Sequence, residues 1–533
     1  MPDQPQYDVI ILGGGLAGLT LSIQLMQMDS SLQVLVLERR AHPVPPAAHK
    51  VGESTVEIGA HYFDTVLGLV DHMQQQQLKK FGLRFFYSDG REDVDQVVEL
   101  GASKFLATPA YQVDRGIFEN FLGEKARELG VRFVDATTVR GLDIGAGGGT
   151  HTVVYATGGV ETQASCRWLV DASGRAGLVK RKLELAQDNA HDANAVWFRI
   201  SEKIDIDEWS GDRDWLQRCD PPERWLSTNH LCGPGYWAWL IPLASGSHSI
   251  GIVCDARMHP LSTMNTLDRA IGWLQRHQPR LAREVESRRH LVQDFLFLRN
   301  FSHGCRQVFS GADRWALTGE AGVFLDPFYS PGSDFIGISN TYIADLISRE
   351  RRGERIDGRA QLYQQLYFSF YESTLALYTN QYPIFGHPEV MSVKIIWDYA
   401  YYWGILCQLF FQRRLTDLAS IGELSNELNH ARALNVAMQD FMREWAQRDP
   451  IVNKPAMFDQ ASHPWLAELN RGLRDELSEA QFRERIREHT RLLDRLAGEV
   501  VARATAHCDV DASALRALLR EALGEQLLFK RVA

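Results

Sequence analysis

Residues 7–39 read YDVIILGGGLAGLTLSIQLMQMDSSLQVLVLER, and this stretch decides the fold. Residues 9–12 (VIIL) form an apolar run short enough for a buried strand. Gly13, Gly15 and Gly18 follow with the spacing G-x-G-x-x-G, and Leu19, Ile23, Leu25 and Met26 then suit the inner face of a helix. A second apolar run, residues 34–37, ends in Glu38. Strand, tight turn, helix, strand and acid in this order are the fingerprint of a dinucleotide-binding unit. Gly13 permits the turn, Gly15 lets a pyrophosphate approach the backbone, and Gly18 lets helix and strand pack closely. The helix start offers unpaired N–H groups and a positive dipole end to phosphates. Glu38, twenty positions after Gly18, offers an acceptor to a ribose hydroxyl. Ala17 and Arg39 count among the contacts of the same stretch.

Composition bounds the rest. A chain of 533 residues with 45% hydrophobic and 23% charged residues can bury a large core. Length alone allows about three or four domains, and α/β enzymes often use fewer. A formal net charge of −10 argues against a general nucleic-acid binder. Seven cysteines are scattered without metal-type spacing, as in a reducing cytoplasm. The polar start MPDQPQYD enters a strand at once and does not read as a signal peptide. Residues 395–411 come nearest to a membrane span. Asp398 interrupts them, and they are short and rich in Tyr and Trp, so a buried or pocket-lining helix is expected.

Beyond residue 40, a proline-rich loop (AHPVPPAA, 41–48) leads into KVGEST (50–55). Residues 111–115 open a helix predicted to run to about Leu129. WLVDASGR (168–175) reads as a buried strand ending in a turn, and β-prone runs dominate from residue 194 to about 301. From residue 344 the pattern is mostly helical. An aromatic-rich stretch between Tyr363 and Trp403 suits either stacking on a substrate or a helical core.

Asp171 at its strand end, Arg115 at a helix start, and Gly319-Glu320-Ala321-Gly322 ahead of Asp326 resemble the flavin-dependent monooxygenase-like fold in order and spacing. The resemblance implies FAD, rather than NAD, as the tightly bound cofactor. Trp237-Ala238-Trp239-Leu240-Ile241-Pro242 resembles the W-x-W-x-I-P signature of flavin-dependent halogenases. KVGEST resembles that family's G-E-[SA]-T segment, Lys80 to Phe85 the segment with its active-site lysine, and Asp326-Pro327-Phe328-Tyr329-Ser330-Pro331-Gly332 its loop beside the flavin. The likeness covers roughly residues 5–345.

What the resemblance implies is an oxidoreductase that uses FADH2, O2 and chloride or bromide. A peroxide on the flavin oxidises the halide to hypohalous acid, and a lysine then presents the halogen to an electron-rich aromatic or heteroaromatic ring. Lys80 is the candidate lysine; its neighbour Lys79 and, more weakly, Lys50 stay open as alternatives. By the same resemblance Trp237 and Trp239 wall a tunnel, Pro331 and Gly332 hold the halide, and Ser54, Arg115, Asp171, Glu320, Asp326 and Ser333 contact the cofactor. Some positions depart from the family. Glu320 stands where Asp is usual, Glu57 where Pro is common, and Tyr329 where tryptophan-directed members carry Glu. Pro331 has no N–H for an anion, and Asp334 adds a nearby carboxylate. Either the halide sits on Gly332, Ser333 and the next amides, or this member binds none.

The expected fold is therefore α/β, with an FAD-binding domain of the two-dinucleotide-binding type over residues 1–345. It carries a β-rich substrate region at about 85–115 and 190–300, and a helical region, 346–533, covers the pocket. The expected partners are a separate NAD(P)H-dependent flavin reductase and a small aromatic substrate, free or carrier-protein-bound, with no nucleic acid and no membrane span. The expected location is the cytoplasm. The alternatives are a flavin monooxygenase or oxidase that uses the flavin peroxide directly without halide, and a flavin-binding protein without turnover.

Overall fold

The structure, a computed structural model, describes residues 6–46, 52–88, 90–521 and 527–528. The chain forms two compact units and passes back and forth between them. The first gathers the described residues of Met1–Gln77, Val113–Ala190 and Ser302–Tyr371; the second gathers those of Leu78–Gln112, His191–Phe301 and Glu372–Ala533. Residues 346–371, the start of the helical region, thus group with the first unit rather than with the rest of that region.

In the first unit the quoted stretch folds as β1 (Gln6–Leu12), α1 (Leu16–Met28) and β2 (Val34–Leu37). Residues 9–12 are 0% exposed and β2 is buried throughout, as strands inside a parallel sheet must be. The sheet runs in the order Phe309–Ser310, Trp315–Leu317, Val160–Asp171, β1, β2, Arg132–Val134. Thr137–Asp143 and His151–Thr157 extend it from Val160–Asp171 as antiparallel strands. Register sets the level of the strand ends. Leu12 pairs with Asp171 on one side and Leu37 on the other, and Asp171 pairs with Leu317. Four parallel strands thus end side by side, and Gly13, Ala172, Thr318 and Glu38 follow them. In open α/β sheets this carboxyl edge is where ligands bind.

The helix Gly332–Arg351 lies against α1 and the short helix Glu57–His61. Asn340, at its middle and 0% exposed, fastens it: Nδ2 donates to Ala17 O and Thr20 Oγ1, both at 3.1 Å, and to Tyr62 Oη at 3.0 Å. Thr318 Oγ1 donates in turn to Asn340 Oδ1 at 2.7 Å.

The second unit is built on a mostly antiparallel eight-stranded sheet. Its order is Val292–Leu298, Ala193–Ile200, His248–Asp255, Tyr236–Pro242, Thr228–Gly233, Leu83–Tyr87, Val98–Gly101, Ala456–Asp459. One face carries Phe86, Phe198, Leu231, Ala238, Leu240, Ile250 and Ile252. These pack with Ile271, Trp273, Leu274, Leu281 and Val285 from the helices Leu267–His277 and Pro279–Ser287. The alternate residues, Trp237 and Trp239 among them, point to the other face.

The described residues of 372–533 are mainly helical, as predicted, with one strand among them. Ala456–Asp459 joins the sheet edge beside Val98–Gly101, and Asp459 accepts from Ser103 N at 2.8 Å and Ser103 Oγ at 2.7 Å. The 395–411 stretch is spread over the helix Pro388–Tyr401, a π-helical Tyr402–Cys407 and Gln408–Phe411. Its carboxylate Asp398 pairs at 2.5 Å with the ammonium of Lys394, the residue just before the stretch, inside the core. Among the described residues no helix is long and apolar enough to cross a membrane.

Candidate active site

The three glycines differ in what surrounds them. A Cβ on Gly13 would lie 2.3 Å from Ala172 O, and the residue holds φ +113°, a region few L residues adopt. A Cβ on Gly18 would lie 2.0 Å from Gly13 O. Gly15 is open: the nearest atom to a Cβ there is Glu119 Oε1 at 3.9 Å. Gly13 and Gly18 are therefore required by the fold itself, whereas space is kept free at Gly15, which caps α1 with no side chain over its first amides. A phosphate fits that vacancy and those donors.

Glu38 reaches back to the turn. Its Oε2 accepts from Gly14 N and its Oε1 from Arg40 N, both at 2.7 Å, and a carboxylate keeps further lone pairs for a hydroxyl. Arg39 is exposed beside it. Ala17 forms the floor under the late segment: a Cβ on Gly319, at φ +60°, would lie 3.0 Å from Ala17 Cβ.

Asp171 is 0% exposed and shapes the turn after its strand. Its carboxylate accepts from Ser173 N at 3.0 Å, Ser173 Oγ at 2.6 Å and Val179 N at 2.7 Å. Burial raises its pKa against those hydrogen bonds. Arg175, on that turn, lies 3.9 Å from Glu320. Partial burial raises Glu320, while the guanidinium groups of Arg175 and Arg115 pull it down. Arg115 starts the helix Arg115–Glu128, pairs with Glu119, and lies against Gly52, where a Cβ would come within 2.9 Å of Nη1. Gly52 heads the Gly52-Glu53-Ser54-Thr55 segment, whose last three residues are buried, and Glu53 O receives Val113 N at 2.7 Å. Lys50 lies outside the described residues.

Sequence reasoning passed over Lys180. Its ammonium donates to Gly304 O and Gly322 O, both at 2.7 Å, and lies 3.1 Å from His303 Nδ1. Burial lowers the lysine and, together with the ammonium beside it, pushes His303 down to about 4, so the imidazole is neutral and can accept. Lys180 thereby ties the helix after Asp171 to the Gly319–Gly322 turn. One lysine in VKRKL carries no sequence signal of such a brace.

The loop at 326–334 has its own order. Asp326 Oδ1 accepts from Phe328 N at 2.9 Å and caps the turn Pro327–Tyr329; Ser330 takes a left-handed φ of 57°; Pro331 stands at the cap of the helix Gly332–Arg351. Nothing lies within 4 Å of a Cβ on Gly332. Ser333 is 8% exposed, and its Oγ has no hydrogen-bond partner among the described residues. Asp334 Oδ1 accepts from Gly59 N at 2.8 Å, so that carboxylate is engaged by backbone of the Glu57–His61 helix.

In the second unit Lys79 and Lys80 separate clearly. Lys79 belongs to the short strand Leu78–Lys79, is exposed, and holds its ammonium 4.6 Å from the Phe105 ring centre. Lys80 is 3% exposed. Its amide donates to Ala110 O at 2.9 Å, and the next amide, of Phe81, donates to Leu226 O at 3.1 Å. Trp237 and Trp239 are 1% and 3% exposed, with ring centres 5.6 Å apart. Trp237 Nε1 donates to Tyr382 Oη at 2.9 Å and Trp239 Nε1 to Ser249 Oγ at 3.2 Å. Trp239 lies over Gly251, where a Cβ would meet its ring at 2.2 Å. His230, absent from the sequence reading, stacks on Phe85 at 4.5 Å and lies 5.1 Å from Trp237.

Residues 6–253 match the model of the FAD binding domain family. The chain is 26% identical over 485 residues to the flavin-dependent halogenase chlA of Dictyostelium discoideum, covering 81% of this chain and 78% of that one. It is 26% identical over 359 residues to a brominase of 1H-pyrrole-2-carbonyl peptidyl-carrier protein from Pseudoalteromonas luteoviolacea, covering 66% and 79% of the two chains. The fold is shared with the halogenase PltM, crystallised with phloroglucinol and FAD: TM-score 0.66, 16% identity, 94% of this chain and 97% of that one. The open glycine turn at the strand ends and these matches agree on FAD as the cofactor. The chain carries an FAD-binding domain over residues 6–253 and is similar to flavin-dependent halogenases, which are FAD-dependent oxidoreductases.

Proposed function

We propose that this protein installs chlorine or bromine on an electron-rich aromatic or heteroaromatic compound, free or carrier-bound, and that Lys80 activates the halogen for transfer. The observation that carries the proposal is the burial of Lys80 on a segment whose amides are held on either side, while Lys79 stands in solvent. Bound FADH2 supplies two of the four electrons that reduce O2; the halide supplies the other two and leaves as hypohalous acid. The Lys80 ammonium then hydrogen-bonds the hypohalous acid, or carries its halogen as a haloamine, and makes the halogen more electrophilic. The ring takes the halogen and loses a proton, and water leaves. The indoles of Trp237 and Trp239 are buried and held by hydrogen bonds, and they exclude water from such an oxidant.

The halide-holding groups in this reading are the first amides of the helix Gly332–Arg351, at Gly332 and Ser333, with Pro331 contributing shape but no N–H. Support comes from the open side of Gly332 and from Asp334, whose Oδ1 is engaged by Gly59. The cofactor-holding groups are the Gly13–Gly18 turn with Ala17, Glu38, Arg115, Glu320 and the 52–54 segment; Asp171 and Asp326 shape the turns beside them. A separate NAD(P)H-dependent reductase provides FADH2. The second reading, a monooxygenase without halide, is favoured by Pro331 alone.

The test is a mass-spectrometric turnover assay. Purified protein, FAD, a flavin reductase and NADH would be mixed with phenols, pyrroles and indoles, with bromide, with chloride and without halide. A bromine isotope pattern that disappears in Lys80→Ala and persists in Lys79→Ala is expected. Oxygenated product that forms without halide would overturn the proposal in favour of the monooxygenase.

A further inference from the structure

Next to the Lys80 segment is an ionic cluster sealed from solvent. Arg84, Glu99 and Arg224 are each 0% exposed. One carboxylate oxygen, Glu99 Oε1, receives both guanidinium groups: Arg84 through Nη1, and Arg224 through Nε at 2.9 Å. The remaining donors reach Ala102 O and Trp215 O, both at 2.6 Å, and Asp207 Oδ1 at 3.3 Å. Gly101 leaves room for this, since a Cβ there would lie 2.8 Å from Arg84 Nη1. Buried ion clusters are weak sources of stability, and well-packed apolar groups of the same volume often serve as well or better. Their usual merit is geometric, because each charge accepts few positions for its partners.

What this cluster locates is the backbone around Lys80. Arg84 Nε donates to Ser227 Oγ at 3.3 Å, and Ser227 Oγ donates to the carbonyl of Phe81, the residue after Lys80, also at 3.3 Å. Arg224 opens the turn Arg224–Leu226, and Leu226 O receives Phe81 N at 3.1 Å. Gly82, between Phe81 and the strand that carries Arg84, holds φ +81° with open space around it, so the chain bends there with little resistance of its own. Both polar groups of Phe81 are thus tied to a loop whose place is set by one oxygen of Glu99.

We propose that Arg84, Glu99 and Arg224 are positioning residues for Lys80. The cluster sets where the ammonium stands, and so what share of hypohalous acid is passed to the aromatic ring rather than lost to water. This rests on Lys80 being the activating lysine. A displacement of about 1 Å at a reacting group is enough for roughly a hundredfold loss of rate.

The experiment measures three quantities on each purified, flavin-loaded variant with bromide: flavin reoxidation rate, brominated product per flavin oxidised, and hypobromous acid caught by added taurine. Glu99→Gln keeps the shape and removes the charge that holds two guanidinium groups; Ser227→Ala removes the hydroxyl that joins Arg84 Nε to Phe81 O and leaves the Glu99 pairings in place. Lys80→Ala runs in parallel. For Glu99→Gln we expect unchanged flavin reoxidation, a fall of roughly tenfold or more in product per flavin, and a matching rise in trapped oxidant. Ser227→Ala should move the same way by a smaller factor. Destabilisation alone does not change a yield counted per turnover of folded enzyme. If Glu99→Gln fails to fold, Ser227→Ala decides. Wild-type yield in Ser227→Ala, or in folded Glu99→Gln, while Lys80→Ala makes no product, would overturn the positioning role. Wild-type yield in Lys80→Ala as well would instead remove the reading on which it rests.

Discussion

Replacing Gly15 and Gly18 by alanine, one at a time, separates what the glycine turn does for the fold from what it does for the cofactor. At Gly18 the new methyl would sit 2.0 Å from the Gly13 carbonyl oxygen, 3.1 Å from Ile11 and 3.2 Å from Ala172. The first of these atoms is backbone and has no rotamer to change, so α1 must move off the sheet by roughly 1 Å or more to regain normal contact. Overpacking of this kind costs about 1–3 kcal/mol. At Gly15 the backbone has φ −86° and ψ −169°, which alanine adopts freely, and the nearest atom is 3.9 Å away. The apo-protein should therefore hold its stability or gain about 0.4–1 kcal/mol from a less flexible unfolded chain. The methyl instead occupies the space through which the pyrophosphate reaches the α1 amides. Losing one charge-assisted hydrogen bond there, worth about 1.5–3 kcal/mol, weakens FAD binding roughly 10- to 100-fold. Urea unfolding of the two apo-variants and FAD titration followed by flavin fluorescence give both numbers. Wild-type FAD affinity in Gly15→Ala would refute the placement of the phosphates, and an unfolding midpoint as low as that of Gly18→Ala would refute the packing argument.

Three further outcomes follow from other contacts. Lys394→Met leaves the buried Asp398 carboxylate with its Gln439 hydrogen bond but without its counter-ion and should destabilise by about 3–5 kcal/mol, whereas Lys394→Met with Asp398→Leu should recover most of that; urea melts of both compare them. Gly251→Ala drives a methyl into the Trp239 ring and should change tryptophan fluorescence and lower product per flavin oxidised, while FAD affinity stays the same; an unchanged emission spectrum would contradict the contact. Burial pushes His248 from 6.5 down to about 3, and its Nδ1 accepts from Ile204 N at 3.2 Å, so the native ring stays neutral where the unfolded chain takes up a proton. Its contribution is present above pH 6.5 and is lost as pH falls through the window between 6.5 and about 3. Between pH 7.5 and 5.5 the loss is about 1.4 kcal/mol, and denaturation at the two pH values should show a shallower pH slope for His248→Asn than for the wild type.

Local pattern was enough for the α/β class, the cofactor and the likeness to flavin-dependent halogenases. A glycine turn between apolar runs and an acid at the end of the second strand are set by neighbours in sequence, because the turn geometry and the helix start are local. The same holds for the W-x-W pair, whose period of two puts both indoles on one face of a strand whatever surrounds it. Even there the roles of the glycines were not equal, and only the packed structure separates Gly13 and Gly18, which meet backbone, from Gly15, whose nearest neighbour is a side-chain oxygen at 3.9 Å.

What sequence left open was decided by contacts between distant segments. Lys79 and Lys80 are adjacent and chemically the same. Their difference in burial arises because the strand ends at Lys79 and the amides of Lys80 and Phe81 are held by Ala110 and Leu226. Lys180, His230 and the Arg84–Glu99–Arg224 cluster carry no motif, since their partners stand up to 146 residues away and no spacing records them. The strand Ala456–Asp459 inside a helical region exists because Val98–Gly101 offers it an edge more than three hundred residues earlier in the chain. Periodicity and turn chemistry act within a few residues and can be read from the chain. Burial and charge pairing depend on which segments meet, and tertiary packing alone determines that.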